Sequence, residues 1–319
     1  LSTMLSKDHP LVTIAIPTYN RANGFLKQAL GSAVNQTYQN LEIIVSDNCS
    51  IDNTEKVVNE FSDSRICYFR HDVNIGVNNN FNYCVEQARG DYFLLLHDDD
   101  LIDNDLIEVC IKAASNATDI GIIRTGTRVI DDQGKVSSDS QNRVAGLSTE
   151  DFFSGWFAFK TSFYLPSTLF NTKKLKKIGG FQSKYNLFQD VAAEVQLAAK
   201  FGRVDIKDIK ASFRKHSGEL TFAAKVKDWC EDSLCLLDLM CSLVQDKDKK
   251  MVRNEGMKFF STLNYNRTRA IKSKLKRFFT YILVFNMFEY KYLPPPVKHI
   301  LYSNPIYFGL RAIKRKMIT

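Results

Sequence analysis

The chain has 319 residues, enough for one large domain with an appended segment and too few for three ordinary domains. Hydrophobic residues make up 45% and charged residues 24%, which excludes a mainly disordered chain, and 23 Phe and 13 Tyr supply ample core. The net charge of +8 is unevenly spread: residues 267–319 hold 12 Lys and Arg against one acid, Glu289, which leaves residues 1–266 with 31 bases and 34 acids. A mildly acidic body with a basic tail points to an anionic partner surface, membrane before nucleic acid, since no nucleic-acid motif accompanies the charge. No run of 18 apolar residues occurs, so no spanning helix is expected, and the longest candidate, residues 278–288, is interrupted by Asn286. Seven cysteines without a C-x-x-C pair suggest reduced thiols in a cytoplasmic protein, and the opening LSTMLSKDHP lacks the pattern of a secretory leader.

In chain order, residues 11–16 (LVTIAI) form an apolar, β-branched run predicted as a buried strand that Pro17 ends. Phe25, Leu26, Ala29, Leu30, Ala33 and Val34 recur at helical spacing. A second strand is expected over 41–45, then a helix capped by Asp52 with Glu55 three residues on. A third strand falls at 66–69, a helix at 80–88, a fourth strand at 92–96, and a helix from about Asn104. Between the last two stands the triplet Asp98, Asp99, Asp100.

Beyond it, residues 131–160 are predicted as loops with a short hairpin, and 163–170 as extended. A helix over 173–178 closes at Gly179-Gly180, where a left-handed cap suits glycine. Further helices are expected at 189–201, with Val191, Val195, Leu197 and Ala198 inward, and at 229–244 and 251–263. Three prolines at 294–296 divide the tail. The early strand–helix alternation predicts an α/β fold with a largely parallel sheet and helices on both faces. Such sheets bind ligands at the carboxyl ends of their strands, where Asp47 and the aspartate triplet both fall.

Three adjacent carboxylates repel one another and need a cation or hydrogen-bond donors. Hard oxygen ligands suit Mg2+ or Mn2+; a solvated helix-start loop is the plainer alternative. No G-x-G-x-x-G and no G-x-x-x-x-G-K-[ST] exists, which argues against a Rossmann dehydrogenase or a P-loop kinase. A nucleotide bound here needs a metal to hold its phosphates, a combination that points to nucleotide-sugar chemistry.

The segments IPTYNR (16–21), VSDNCSIDNT (45–54), Asn74-Ile75-Gly76, GDYFLLLHDDDLI (90–102), IGGF (178–181) and QDVAAEVQLA (189–198) resemble family 2 glycosyltransferases, over roughly residues 10–220. The resemblance implies a GT-A fold, with a Rossmann-like, mostly parallel central sheet and flanking helices, and transfer with inversion. It also implies a nucleotide-diphosphate sugar donor, expected to be a UDP-sugar, and Mn2+ or Mg2+ as cofactor. The implied acceptor is a saccharide or polyprenyl-linked saccharide of surface-polysaccharide assembly. Pro17, Thr18 and Tyr19, with Asn20 and Arg21, would line the nucleotide pocket; Asp47 would accept from the base, and Asn74, Gly76 and Asp98 would complete the donor site. The metal would fall to Asp98, Asp99 and Asp100, whose register the triplet leaves open, with His216 as a third kind of ligand. Arg214 and Lys215 could contact the diphosphate instead. Asp190 matches the general base, although Gln189 stands where relatives carry Glu.

The expected division is a catalytic domain over 1–222, with a nucleotide-sugar part at 10–120 and an acceptor part at 121–222. A helical region follows at 223–319, basic and membrane-associating from 267. Phe278, Phe279, Tyr281 and Phe288 are the aromatic residues expected to insert at a membrane. Peripheral attachment to the inner face of the cytoplasmic membrane follows from that tail. Two other classes stay open. One is a sugar-phosphate nucleotidyltransferase, which normally carries a Gly-rich basic loop that IPTYNRANG lacks. The other is a non-enzymatic basic adaptor.

Overall fold

The computed structural model describes residues 9–22, 24–114, 119–216, 224–295 and 297. Pro296 and the basic residues of the tail beyond 297 lie outside the described residues. Nine strands form one sheet: β1 (Val12–Thr18), β2 (Leu41–Asp47), β3 (Ile66–Arg70), β4 (Tyr92–Leu95), β5 (Leu101–Ile102), β6 (Ile122–Ile130), β7 (Val136–Ser140), β8 (Thr168–Asn171) and β9 (Arg203–Arg214). The order is β3-β2-β1-β4-β8-β6-β9-β5, with β7 paired to β6. β3, β2, β1 and β4 run parallel, as do β6 and β9; β8 is antiparallel to both its neighbours and β5 to β9.

The helices are α1 (Leu26–Val34), α2 (Thr54–Asn59), α3 (Val77–Gln87), α4 (Leu106–Ala114), α5 (Thr149–Phe157), α6 (Thr172–Lys177), α7 (Gln189–Phe201), α8 (Val226–Ser242), α9 (Asp246–Arg269) and α10 (Lys274–Met287). Strand side chains alternate between the two faces. Val12, Ile14 and Ile16 pack with Leu26 and Leu30 of α1 and Leu106 and Ile107 of α4. On the other face Ala15, Phe93 and Leu95 pack with Phe81 and Cys84 of α3. That second core runs on without a break through Phe152 and Trp156 of α5 and Val195 of α7 to Leu236, Phe260, Tyr281 and Phe288. Helices α8–α10 therefore share the core of the sheet. All seven cysteines are free thiols.

Several elements differ from the sequence expectation. Pro17 does not end β1, which stays paired with β2 out to Thr18–Asp47. The Ala15 carbonyl accepts from Leu96 N–H on the β4 side, so by alternation the missing N–H of Pro17 also faces β4, whose pairing stops at Leu95. Helix α2 starts one residue later than expected, with Asn53 at its cap; Asp52 instead accepts from Thr54 and from Ala22 N–H, tying two loops together. The stretch 131–160 holds the hairpin β6–β7 but also α5, capped by Ser148 Oγ accepting from Asp151 N–H. Burial of Phe152, Phe153 and Trp156 contributes about 1.5–3 kcal/mol each and outweighs Gly155 within that helix.

Candidate active site

The chain leaves β1 for β2 and β3 on one side and returns to β4 on the other, so the crevice beyond the carboxyl end of β1 is a topological switch point. Thr18 ends β1 beside Asp47, its ladder partner at the end of β2. The Thr18 hydroxyl donates to Asp98 Oδ2 at 2.7 Å, and Arg21 Nε lies 3.9 Å from Asp98 Oδ1. One residue thus bridges the two acidic loops.

Asp47 is buried, and its carboxylate accepts from Ser50 N–H (2.8 Å) and the Tyr68 hydroxyl (2.6 Å), with Arg70 Nε 3.9 Å away. Asn74 Oδ1 accepts from Asn48 Nδ2 and from Gly76 N–H; Gly76, at φ 84°, opens α3. Tyr19 is half exposed at the mouth of the crevice, and Asn20, in the left-handed region at φ 54°, exchanges hydrogen bonds with the loop at Ser50 and Ile51. Pro17, Thr18, Asn20, Arg21, Asp47 and Asp98 are thus brought together at the ends of β1, β2 and β4.

The aspartate triplet divides into separate environments. Asp98 faces Thr18 and Arg21. Burial, then the charge of Asp99, push its carboxyl up to about 6, against the Thr18 hydrogen bond. Asp99 Oδ2 meets His216 Nε2 at 2.8 Å. Asp100 is fully buried; its Oδ1 accepts from Arg214 N–H, while Oδ2, 3.6 Å from His97 Nδ1, has no hydrogen-bond partner. Burial pushes Asp100 upward too. Burial alone would lower His97, but Asp100 first, then Asp99 and Asp98, hold it up at about 9. Its Nε2 is likewise buried without a partner, and its ring stacks on Phe81.

His97, Asp99 and Asp100 each offer one ligand atom, all within 4.8 Å of one another. The orphaned Asp100 oxygen, in a set of two carboxylates and a His97 ring nitrogen, fits a divalent cation, which would displace the His97 proton. His97 was not among the ligands expected from sequence; its place directly before the triplet was the available signal. Asp98 stands apart from this cluster, and His216 reaches it through Asp99.

Arg214 is not available to a diphosphate. It is buried, donating to the Asp99 and Asp131 carbonyls and to Gln28, with its guanidinium over the Phe25 ring. Its work is to hold the aspartate loop against β9. The neighbouring Lys215 is exposed.

Asp190 is the second residue of α7, and its carboxylate accepts from Val191 N–H. Burial raises its pKa, against that hydrogen bond and the charge of His97, which is close enough to be felt. Two anchors fix α7. Arg124 on β6 donates from Nε to the buried Glu194 at 2.9 Å, one turn after Asp190. Asp232 on α8 is buried and gathers the preceding loop: its Oδ2 accepts from the Ser183 hydroxyl (2.7 Å), Leu187 N–H (2.9 Å) and Phe188 N–H (3.2 Å). Sequence reasoning missed Asp232; an acid on the inward stripe marked by Trp229, Ser233 and Leu236 was the clue. Further back, Gly179 and Gly180 take φ 88° and 75°, and Asn82 of α3 bonds both ways to the Phe181 backbone. A cavity of about 300 Å³ lies between the starts of α3 and α7, lined by Gly76, Asn78, Asn186 and Gln189 among others.

An α/β sheet of this order, with acidic loops at its switch point, has the architecture of the GT-A fold. Residues 13–180 match the family model described as glycosyl transferase family 2, more than half of the chain, and the protein belongs to that family. An uncharacterized glycosyltransferase of Rickettsia typhi is 43% identical over 99 residues, 31% of this chain and 30% of that protein. Chondroitin synthase of Pasteurella multocida is 31% identical over 134 residues, 42% of this chain and 14% of the synthase. The chain thus spans less than a third of either relative's length. Among solved structures, TarS of S. aureus in complex with UDP-GlcNAc superposes with a TM-score of 0.66 at 17% identity, over 87% of this chain and 80% of that one. The mannosyltransferase PcManGT of Pyrobaculum calidifontis, in complex with GDP-Man and Mn2+, gives 0.57 at 14% identity, over 97% and 85%. These likenesses show the fold.

Proposed function

We propose that the protein transfers a sugar, with inversion, from a nucleotide-diphosphate donor to a hydroxyl of a saccharide or lipid-linked saccharide, in surface-polysaccharide assembly. The observation that carries this reading is the cluster of His97, Asp99 and Asp100 at the switch point, with Asp190 near enough for its carboxyl to feel the charge of His97. The structural neighbours were solved with UDP-GlcNAc and with GDP-Man, which supports a nucleotide sugar here; a UDP-sugar is the first candidate.

In this reading Tyr19 packs on the base, Asp47 accepts from it, and Asn74 and Gly76 shape the adjoining wall. Arg21 and Asp98, joined to each other and to Thr18, hold the ribose and diphosphate end. His97, Asp99 and Asp100, with His216 behind Asp99, would hold Mn2+ or Mg2+. Bound there, the cation supplies Lewis-acid neutralisation of the leaving diphosphate. Asp190 takes the proton of the acceptor hydroxyl as that oxygen attacks the anomeric carbon from the face opposite the leaving group. Its raised pKa suits a base, and such a base contributes about 10²–10⁴-fold. Gln189 beside it keeps the site less negative than a Glu-Asp pair would.

The proposed division is a catalytic part over 1–222, with donor and acceptor halves at 10–120 and 121–222, and a helical region over 223–319 that completes its core. No helix among the described residues is long and apolar enough to cross a membrane. Peripheral attachment to the inner face of the cytoplasmic membrane belongs to the same reading, supported by the charge of the tail. The test is a thermal-shift screen of nucleotide sugars with and without Mn2+, followed by product analysis with the donor that binds. Mn2+-dependent stabilisation and release of nucleotide diphosphate are expected. Release of pyrophosphate would indicate a nucleotidyltransferase instead, and no binding to any nucleotide sugar would overturn the reading.

A further inference from the structure

Helix α10 has two faces of opposite use. Tyr281, Val284 and Phe288 are buried and belong to the core shared with α8 and α9. On the other side Leu275, Phe278, Phe279 and Ile282 are exposed, between 46% and 68%. At about 100° per residue these four fall within an arc of about 100°, opposite the packed face. Lys274 and Lys276 stand on either side of that arc, and both are exposed. Lys272 precedes the helix and Arg277 lies within it; the helix sequence KLKRFFTYILVFNM contains no acid. Of the four aromatic residues expected to insert, Phe278 and Phe279 are thus free to do so, while Tyr281 and Phe288 are held by the core.

We infer that the Leu275–Phe278–Phe279–Ile282 ridge of α10 is the surface by which the protein docks on an anionic lipid bilayer. It rests on the peripheral attachment given above and specifies where that attachment is made. The ridge is apolar, so it gains by entering the acyl boundary, while the flanking lysines stay at the level of the headgroups. Each basic group near an anionic leaflet adds attraction that salt screens. A second copy of the chain fits less well. Two such faces brought together by a two-fold axis would bring Lys274 and Lys276 towards the same bases, with no acid on the helix to compensate. A nucleic acid would find cations at the flanks but, along the arc itself, four apolar side chains and a single amide, Asn286, at its far end.

The test is flotation of the full chain with vesicles of phosphatidylcholine alone and with added phosphatidylglycerol, alongside analytical ultracentrifugation. The variants are Phe278→Ser/Phe279→Ser and Lys274→Glu/Lys276→Glu. Because these side chains face away from the core, thermal midpoints should match the parent, and donor binding serves as a second check of folding. The parent is expected to bind the anionic vesicles and to be released by salt. Each double variant should bind about tenfold more weakly or worse. Parent binding that the Phe278→Ser/Phe279→Ser variant retains in full would overturn the ridge while leaving peripheral attachment intact. A parent that binds no vesicle would overturn both, without touching the transferase chemistry. A parent dimer that the same variant turns into a monomer would assign the face to a second copy.

Discussion

Replacing Asp232 with alanine removes the one carboxylate oxygen that Ser183, Leu187 and Phe188 share, three residues of the loop that delivers Asp190. Hydrogen bonds to a charged acceptor contribute at least about 1.5 kcal/mol each, so three would sum to roughly 4–5 kcal/mol. Ser183 and Leu187 are half exposed and can take water in exchange, which brings the expected loss to about 2–3 kcal/mol. A domain with about 5–15 kcal/mol of stability survives that. The catalytic effect is expected to be larger than the stability change alone suggests. A displacement of about 1 Å at a reacting group can cost about 10²-fold, and Asp190 lies two residues beyond Phe188. Asp232→Ala should therefore lower kcat by about 10–100-fold and leave donor affinity near the parent value, because the proposed donor residues sit on β1, β2 and the loops after β1, β3 and β4, outside the loop that Asp232 gathers. Asp232→Asn, which can still present one oxygen to the shared position, should lie between parent and alanine. The assay is steady-state kinetics with the donor found by screening, alongside urea unfolding of both variants. If unfolding shifts by 2–3 kcal/mol while kcat stays at the parent level, the clamp serves the fold and not the base.

Asp190→Asn should cut turnover by about 10²–10⁴-fold with donor affinity retained, as measured by titration calorimetry; an equal loss of donor affinity would place Asp190 in the nucleotide pocket. Burial raises the Asp190 pKa, so kcat/KM in the parent should fall on acidification at a midpoint above the ordinary carboxylate value. For a carboxyl raised in the folded state, the stability contribution is present below the unfolded pKa and is lost as pH rises through the folded one. At neutral pH the Asn variant should thus keep or raise the thermal midpoint, and a clear drop in Tm would show that the charge supports the fold. Asn substitutions at Asp99 and Asp100 should weaken Mn2+-dependent donor binding by about tenfold or more, whereas Asp98→Asn should weaken donor binding with or without metal; full activity of all three in excess chelator would remove the metal from the mechanism. Gly180→Ala combines a positive φ with a Cβ that would overlap Asn82 Oδ1, so a loss of about 1–3 kcal/mol in urea unfolding is expected, and an unchanged midpoint would mean that the turn relaxes freely.

The parallel half of the sheet was legible because its strands are short β-branched or apolar runs followed at once by acids, as in LLL before Asp98. Helix α7 was legible because Val191, Val195 and Ala198 recur at helical spacing, although Ala192, Ala193 and Glu194 are buried as well. Strand β9 escaped notice because its DIKDIK stretch (205–210) is only partly buried and carries charges at the positions that pattern reading uses. Strand β6 hides a fully buried Arg124, tolerable because Glu194, seventy residues on, meets it together with the Ser162 carbonyl and Asp205. The same limit applies to the site. The aspartate triplet announced itself, but the way its three members part toward Thr18, His216 and Arg214 depends on partners 80 to 117 residues distant in sequence. Asp232 reads as a misplaced acid in an apolar stripe until its loop is seen around it.

Thr18 has a consequence for how the donor's length is measured. Asp47 hangs from the strand on one side of β1 and Asp98 follows the strand on the other, with Thr18 between them. Neighbouring strands stand about 4.8 Å apart, so two ladder steps, roughly 10 Å, separate the two acidic loops. That span is set by backbone pairing and not by rotamers. In the proposed reading the sheet acts as a rigid gauge between the base end and the phosphate end of a nucleotide, built before any ligand arrives. The choice of sugar then passes to the far wall, where α3 and α7 converge and no ladder fixes the spacing.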